Sequence, residues 1–220
     1  MKITALIPAY REEKHIREVV AQTRRHVDSV LVVDDASDDN TSDAAQSAGA
    51  RILRHPVNMG KGAALLNGFK EILKDRTVWA VICLDGDGQH APEDIPGFLR
   101  MAGRKPYPGI VLGTRMNSTQ DMPRLRLWTN RVTSAFVSAA AHTRVTDSQV
   151  GFRLLRREAV ESLNITTTRY DMESEMIIQA AKAGFRIAEV PIQTIYSDEV
   201  SSINKFSDTL RFIKLILRYI

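Results

Sequence analysis

The sequence lacks several features that would place a protein in a specialised class. Its only cysteine, Cys83, lies in an apolar run, which excludes a disulfide framework, favours a reducing compartment such as the cytoplasm and predicts a core residue. No run of about twenty apolar residues could span a bilayer, and the first apolar stretch is too short for a signal peptide. We therefore expect a soluble or membrane-peripheral protein.

The composition that remains is that of an ordinary globular chain. A length of 220 residues suffices for one well-buried domain and is short for two, and no repeat or low-complexity linker divides it. The formal net charge of +4 permits an anionic partner such as a nucleotide, a phosphate or an acidic membrane. We predict a single domain over 1–220 and no nucleic-acid partner.

Short apolar runs alternate with amphipathic stretches, a pattern typical of β-α-β units around a parallel sheet. The predicted strands are 3–7, 30–33, 51–53, 78–84, 109–113, 152–155 and 186–190. The predicted helices are 13–26, one from 41, 61–73, 93–101, 127–141, 173–183 and 208–220. Residues 114–126 predict an irregular loop, and Pro191 is expected to end the last strand or to place it at an edge.

Polar residues are concentrated where three of these strands end. The three clusters are Pro8 to Glu12, Asp34 to Thr41, and Asp85 to His90. In open parallel sheets, ligands bind beyond the carboxyl ends of the strands. The sequence therefore predicts a ligand site at this edge of the sheet.

Asp85 and Asp87 form the most informative cluster. Two carboxylates two residues apart, after a buried strand, repel each other unless a cation lies between them. Mg²⁺ and Mn²⁺ prefer oxygen ligands and often share them with substrate phosphates. We predict that this DXD motif binds such an ion; the alternative is a surface turn with solvated acids.

Asp34 and Asp35 follow the second strand in the same way. One of them is expected to hold the loop, and the other to accept a hydrogen bond from a base N–H. Ser37, Asn40 and Thr41 fit the capping of the following helix equally well.

Five segments resemble the successive motifs of family 2 glycosyltransferases, in the correct order over roughly residues 1 to 205. They are most similar to the branch of dolichyl-phosphate mannosyltransferases and bacterial polyprenyl-phosphate glycosyltransferases. The segments are Ile7 to Glu13, Val32 to Thr41, Asn58 to Gly62, Leu84 to His90 and Asp147 to Arg153.

The resemblance implies an α/β fold of the GT-A type, with a mostly parallel central sheet, helices on both faces and an acceptor-side extension. Residues 1–115 would form the nucleotide-sugar-binding half and 116–205 the acceptor-side half. The donor would be a hexose on a nucleotide diphosphate, such as GDP-mannose or UDP-glucose. The acceptor would be a polyprenyl or dolichyl phosphate at a membrane surface.

The resemblance also implies roles for individual residues on the donor side. Asp35 would meet the base, and Gln89 would lie beside the donor sugar and the metal. Lys61 is expected to start a helix packed near the nucleotide, since its Gly-Lys-Gly motif is too short for a Walker loop. The residues expected to line the nucleotide are Pro8, Ala9, Tyr10 and Glu12.

On the acceptor side, the need for a base depends on the acceptor. A lipid phosphate is already anionic, whereas a hydroxyl needs a carboxylate within hydrogen-bond reach. Asp147 is our candidate, either as that base or as a group that orients the acceptor. Four basic residues match positions of the branch and are expected to hold the diphosphate or the acceptor phosphate, or else to be solvated surface charges: Arg115, Arg131, Arg153 and Lys205.

Three further residues have two interpretations. His90 either binds metal or phosphate or completes the turn. Glu173 and Glu175 resemble the acidic start of the branch's acceptor-side helix, although the helix dipole favours acids there regardless of function.

The C-terminal stretch 206–220 predicts a basic amphipathic helix. Its basic residues are Arg211, Lys214 and Arg218, and its apolar residues are Leu210, Ile213, Leu217 and Ile220. Such a helix either lies on an anionic membrane or packs its apolar side against the domain. Members of the branch often continue into membrane-spanning helices, which this sequence does not.

Three hypotheses stay open on the sequence alone. The first is a metal-dependent enzyme that makes a polyprenyl-phosphate sugar, peripheral on the inner face of the membrane. The second is a soluble glycosyltransferase for a small molecule, glycan or protein hydroxyl. The third is a non-catalytic sugar-nucleotide-binding module.

Overall fold

One seven-stranded sheet organises the protein. The computed structural model describes residues 1–116, 124–167, 171–193 and 205–219, without the side chains of 126 and 205–208. The strands are Lys2–Ala9 (β1), Ser29–Asp34 (β2), Arg51–Arg54 (β3), Val78–Cys83 (β4), Ile110–Thr114 (β5), Arg153–Arg156 (β6) and Ile187–Pro191 (β7).

The strand order is β3-β2-β1-β4-β6-β5-β7, and every pairing is parallel except those of β6. Strand β6 runs antiparallel to both of its neighbours, β4 and β5. The carboxyl ends of β1, β2, β4 and β5 therefore meet the start of β6 at one edge of the sheet. That edge carries the polar clusters that the sequence singled out.

Helices cover both faces of the sheet, as predicted. They are Ile16–Thr23 (α1), Thr41–Ser47 (α2), Lys61–Leu73 (α3), Ile95–Ala102 (α4), Arg124–Ala141 (α5), Arg157–Ser162 (α6), Asp171–Lys182 (α7) and Lys205–Tyr219 (α8). Successive residues of a strand point to opposite faces. In β1, Ile7 belongs to the core cluster that includes residues of α1, α2 and α4, and Leu6 belongs to the cluster that includes residues of α3, α5 and α7.

Most predicted elements are present, and α3 has the predicted bounds. Pro191 ends β7, which is an edge strand as expected. The short helix α6 was missed because six residues are too few to show a helical period. Its first residue, Arg157, donates to the carbonyls of Leu73 and Asp75, both at 2.8 Å, and so fixes α6 to the end of α3.

The last helix is amphipathic, but its inner side is not the predicted apolar one. Leu215 and Ile216 are buried, and Phe212 and Tyr219 pack against the core. The predicted apolar side is exposed, and Ile220 lies outside the described residues. Within the described part of the chain, no helix is long and apolar enough to cross a membrane.

Cys83 is a buried free cysteine in β4, as predicted. Burial raises the pKa of its thiol to about 12. The thiolate is the reactive form, so this residue is chemically inert at neutral pH.

Candidate active site

The loops that follow β1 and β2 are bound to each other. The backbone N–H of Arg11 donates to the Ser37 hydroxyl at 3.0 Å, and that of Glu12 donates to the Thr41 hydroxyl at 2.8 Å. Arg11 and Ala36 both have positive φ angles, 59° and 64°, a strained conformation for residues other than glycine. The hydrogen bonds therefore hold the two loops in one fixed shape.

Asp34 stabilises the loop after β2. Its side chain is buried and accepts hydrogen bonds from the Ser37 N–H, at 2.9 Å, and from the Ser42 hydroxyl. The carboxylate thus links the end of β2 to the first turn of α2. Asp34 therefore has the contacts expected of the member of the Asp34–Asp35 pair that holds the loop.

Asp35 holds a second segment, the one that leads into α3. Its carboxylate accepts from the N–H groups of Met59 and Gly60, at 2.8 and 2.7 Å, and contacts Nδ1 of His55 at 2.7 Å. The other ring nitrogen of His55 lies 3.0 Å from Asn67 in α3. A carboxylate oxygen accepts up to two hydrogen bonds, so Oδ2, with one described partner, retains capacity for a base N–H.

The residues at the end of β1 contribute in different ways. Pro8 and Ala9 are buried in the sheet, and the Ala9 carbonyl accepts from the Asp35 N–H at 2.9 Å. The Tyr10 ring is 41% exposed, with the Arg11 guanidinium 5.1 Å from its centre. Tyr10 is therefore an exposed aromatic ring at this edge of the sheet, which a planar ligand could contact.

Asp85 and Asp87 follow β4, and the first of them is already paired. Oδ1 of Asp85 lies 2.6 Å from the Lys61 ammonium, which also contacts Oε1 of Glu173 at 2.9 Å. Asp87 accepts a hydrogen bond from the Gln89 N–H at 2.9 Å. Lys61, at the start of α3, thus joins the DXD motif to α7.

The charges of this cluster favour a cation beside Asp87. Burial raises the pKa of Asp85, but the Lys61 ammonium outweighs that effect and the net pKa lies well below the usual range. Burial and the charge of Asp85 both raise the pKa of Asp87. Because an additional positive charge would stabilise the ionised form of Asp87, the pair fits a divalent ion.

The ligand set is an open one. Among the described residues, no three His, Cys, Asp or Glu side chains are grouped as a protein-only metal cage requires. Two carboxylates with room for substrate oxygens are the arrangement in which Mg²⁺ or Mn²⁺ shares its coordination with phosphates. The predicted metal ligands, Asp85 and Asp87, therefore fit an ion that binds together with a diphosphate.

His90 completes the turn after the DXD motif. Its Nδ1 accepts from the Asp85 N–H at 3.3 Å, and its ring packs on Phe152 with 5.2 Å between centres. Burial lowers the pKa of the imidazole, which keeps it neutral and able to accept that bond. These contacts support the turn-completing interpretation.

Arg115 and Asp147 form a buried ion pair at the end of β5. The guanidinium donates twice to the carboxylate at 2.8 Å, and Asn130 of α5 donates to it at 2.8 Å. Burial raises the pKa of Asp147, but the bonds from Arg115 outweigh burial and the net pKa is lowered. A carboxylate so engaged is a weak base, so its described contacts support a role in orienting Arg115.

Two other residues predicted to bind phosphate, Arg153 and Lys205, lie in different parts of the fold. Arg153 is 1% exposed, and its guanidinium donates to the carbonyls of Glu173, at 2.9 Å, and Val150. It therefore acts inside the protein, not as a surface that a phosphate could reach. Lys205 starts α8, but its side chain lies outside the description.

Arg131, predicted either to hold a phosphate or to be a solvated surface charge, lines a cleft. The cleft has a volume of about 320 Å³ and is also lined by Arg144, Ser134 and Thr146. Both arginines are exposed. Thr146 adjoins Asp147, so this basic cleft lies next to the Arg115–Asp147 pair.

The comparison with known proteins agrees with this geometry. Residues 4–163 match the family model described as Glycosyl transferase family 2. The chain belongs to this family. The protein is thus a family 2 glycosyltransferase.

Curated relatives of this glycosyltransferase include two lipid-phosphate enzymes. The UDP-N-acetylglucosamine–dolichyl-phosphate N-acetylglucosaminyltransferase of Methanococcus voltae is 33% identical over 89% of this chain and 86% of its own. The undecaprenyl-phosphate mannosyltransferase of Micrococcus luteus is 28% identical over 87% of this chain and 83% of its own.

Solved structures identify the GT-A fold. Glucosyl-3-phosphoglycerate synthase from Mycobacterium tuberculosis, crystallised with Mn²⁺, UDP and phosphoglyceric acid, superposes with a TM-score of 0.78. The match covers 99% of this glycosyltransferase and 78% of the neighbour, at 20% identity. At that identity, the likeness establishes the fold and leaves substrates open.

Several contacts of the glycosyltransferase site were not predicted from the sequence. Lys61 was expected near the nucleotide, but its bridge between Asp85 and Glu173 was not foreseen. Arg144 and Asn130 were missed because they belong to no motif, and only the packing of α5 against the segment before Asp147 brings them to the site. A polar residue on the buried side of α5 was the available signal for Asn130.

Gly151 lies against the carboxylate of Asp85 and leaves no room for a side chain. A Cβ atom at this position would lie 2.6 Å from Oδ2 of Asp85, so Gly151→Ala must displace that carboxylate. We expect metal-dependent donor binding to weaken about tenfold or more, as when an outer-shell contact of a metal site is changed. Calorimetric titration of donor with Mn²⁺ measures the effect.

The matched control is Gly97→Ala in α4, where an added Cβ meets only one side-chain atom, at 4.0 Å. This variant should bind donor like the wild type and should be as stable or slightly more stable. Equal binding by Gly151→Ala and the wild type would contradict the tight contact with Asp85.

Glu175, the third acid of α7, holds the C-terminal part of the fold together. It is fully buried and accepts hydrogen bonds from the hydroxyls and N–H groups of Thr166 and Thr167. The Tyr219 hydroxyl of α8 contacts it at 3.0 Å. Burial raises the pKa of Glu175, but the bonds from Thr167 and Thr166 outweigh burial and lower it.

Glu175→Gln should therefore lower the free energy of unfolding at pH 7 by about 2 kcal/mol. The folded pKa is below the ordinary value of 4.5, so the wild type has the full contribution above that value. It loses the contribution as the pH falls through the folded pKa. In urea unfolding, the difference in unfolding free energy between variant and wild type should stay constant from neutral pH down to about 5 and shrink below that.

The matched control is Glu18→Gln, on the exposed side of α1, which should change the free energy of unfolding by less than about 0.5 kcal/mol. A difference that ignores pH would exclude the charge of Glu175 as its cause.

Proposed function

We propose that this glycosyltransferase moves a hexose from a nucleotide-diphosphate donor to a polyprenyl or dolichyl phosphate. The observation that carries the proposal is the closeness of an acidic and a basic site. Gly151 adjoins Asp85, and Asp147 is bonded to Arg115. Asp147 and Gly151 are four positions apart in the chain, a separation that spans at most about 14 Å.

The donor binds on the acidic side of this edge. Tyr10 offers its ring to the base, and Asp35 offers the remaining capacity of Oδ2. Asp85 and Asp87 would hold a divalent cation, whose positive charge would stabilise the negative charge on the diphosphate leaving group. Gln89 follows this pair in the same turn and lies beside the donor sugar.

The acceptor binds on the basic side. Arg131 and Arg144 line the cleft, and Thr146 of its lining adjoins Asp147, the partner of Arg115. Two exposed guanidinium groups suit a phosphate monoester, which attacks the anomeric carbon through an oxygen that is already anionic. Since Asp147 is engaged by Arg115 and Asn130, the site supports this base-independent attack better than attack by a hydroxyl.

The names of the relatives support the same acceptor class. Both curated relatives described above are named for transfer to, or use of, a lipid phosphate. The structural neighbour is named for a water-soluble phosphoglycerate product. Because this chain has the GT-A fold of that neighbour, the fold alone does not determine the acceptor, and we attribute the choice to the residues of the cleft.

Two measurements test the proposal in sequence. Calorimetry with GDP-mannose, UDP-glucose and UDP-N-acetylglucosamine, with and without Mn²⁺, should find metal-dependent binding of one donor. Detergent-solubilised undecaprenyl phosphate should then accept the labelled sugar, while 3-phosphoglycerate should not. Transfer only to a water-soluble acceptor would replace the proposed acceptor. Binding without transfer or hydrolysis would indicate a non-catalytic module.

A further inference from the structure

Helix α5 has an apolar stripe that faces solvent. Leu125, Trp128 and Phe136 are 68%, 65% and 49% exposed. Their spacing of three and eight residues places them along one side of the helix. Val137 and Ala141 lie on the opposite side of the helix and are buried. The outward stripe is thus additional to the face that α5 contributes to the core.

Helix α8 repeats this arrangement. Leu210, Ile213 and Leu217 are 46%, 47% and 73% exposed, at a spacing of three and four residues. Leu215 and Ile216 face inward and are buried. The sequence pattern predicted this apolar side of α8, but it did not predict that the other side would face the core.

The two stripes belong to helices on the same side of the sheet, because α5 and α8 contact each other, both contact α7 and all three contribute to one core cluster. Six of the eleven large exposed hydrophobic residues found in the described chain belong to these two helices. A single exposed leucine is ordinary, but a grouped set on adjoining helices marks an interaction surface. We call Leu125, Trp128, Phe136, Leu210, Ile213 and Leu217 the outer α5–α8 face.

Positive charge borders this face. Arg124 and Arg131 are exposed on α5, and Lys214 and Arg218 are exposed on α8. The sequences of the two helices contain seven basic residues and one acidic residue. This excess is larger than the net charge of +4 of the whole chain. The charge of the protein is therefore concentrated around its exposed apolar side chains.

We propose that the outer α5–α8 face docks on an anionic lipid bilayer. Apolar side chains with a cationic border match the acyl boundary and the headgroups of such a surface. A second copy of the chain matches less well, because symmetric pairing would bring two basic borders together. The inference deepens the proposed function: Arg131 borders the face and also lines the cleft, so docking brings the cleft to the lipid phosphate.

The fluorescence of Trp128 tests the contact directly. The sequence has one other tryptophan, Trp79, which lies in β4 with the Arg156 guanidinium over its ring. In a Trp79→Phe variant, phosphatidylglycerol vesicles should shift the Trp128 emission to the blue, and brominated lipids should quench it. Phosphatidylcholine vesicles should have a much smaller effect, and added salt should reverse the binding.

Paired variants identify the face. The double variant Ile213→Ser/Leu217→Ser should lower partition into these vesicles about tenfold or more. Tyr107 is 44% exposed and lies outside α5 and α8, so Tyr107→Ser should leave partition unchanged. Lys214→Glu should lower partition at least about fivefold. Arg100→Glu, exposed on α4 across the sheet, is its matched control.

Absence of a blue shift with anionic vesicles would overturn the proposal. So would a lipid-independent shift that grows with protein concentration, because it would identify a second copy as the occupant; sedimentation velocity detects this case. The vesicles contain neither donor nor polyprenyl phosphate. Failure of docking is therefore distinguishable from failure of the transfer reaction, which is measured in detergent.

Discussion

Replacing Asp87 by asparagine should lower the turnover of sugar transfer on the order of a thousandfold while leaving the protein folded. Asp87 is the carboxylate of the DXD motif that has no described cation beside it, and burial together with the charge of Asp85 raises its pKa. The amide removes an anionic ligand of the proposed metal ion. It also relieves the repulsion from Asp85, so the metal-free variant should unfold at the same or a slightly higher urea concentration.

Asp94→Asn is the matched control for this experiment. Burial raises the pKa of Asp94 as well, and its carboxylate accepts from the Gln193 N–H at 2.8 Å. It follows the same strand but belongs to the start of α4, so transfer should stay within about twofold of the wild type. Retention of metal-dependent donor binding by Asp87→Asn would refute the metal assignment.

Replacing Lys61 by methionine should have the largest effect on stability. The ammonium is shared by Asp85 and Glu173, whose side chains are 25% and 7% exposed. Removing one partner of a buried ion pair leaves uncompensated charge and costs about 3–5 kcal/mol. In metal-free buffer, Lys61→Met should lose about this amount in urea unfolding.

The same variant should respond to divalent metal more strongly than the wild type. A bound Mn²⁺ ion supplies positive charge to Asp85 in place of the missing ammonium, so part of the lost stability should return. Lys70→Met, on the exposed side of the same helix, should lose little stability and gain nothing from the metal. An equal response of Lys61→Met and the wild type to Mn²⁺ would show that Lys61 and the metal act on different groups.

The fold and the position of the site could be read from local patterns. The buried strand before Asp85 and the glycines around the DXD motif place two carboxylates at the end of β4. The helical period of 61–73 fixed the bounds of α3. Such predictions succeed because strand ends and helix periods depend on neighbouring residues.

The side-chain partners could not be read in this way. Asp147 was expected to act as a base or to orient the acceptor, and Arg153 to meet a phosphate. The sheet order pairs Asp147 with Arg115, 32 positions away, and buries Arg153 between β4 and β5. The side of α8 that faces the core was equally hidden, because large apolar residues lie on its exposed side as well as on its buried side. These outcomes depend on packing between segments distant in the sequence.

The place of β6 between β4 and β5 also determines what happens while the chain is being made. Cys83 of β4 pairs with Arg153 of β6, so one side of β4 waits for a partner that is synthesised roughly 70 residues later, roughly 4 to 14 seconds at ordinary ribosome speeds. During that interval, the apolar strand Val78–Cys83 presents an open edge on which other chains can pair. The nascent chain, more than the finished enzyme, is therefore the state at risk of aggregation, and slower translation before residue 153 should lengthen that exposure.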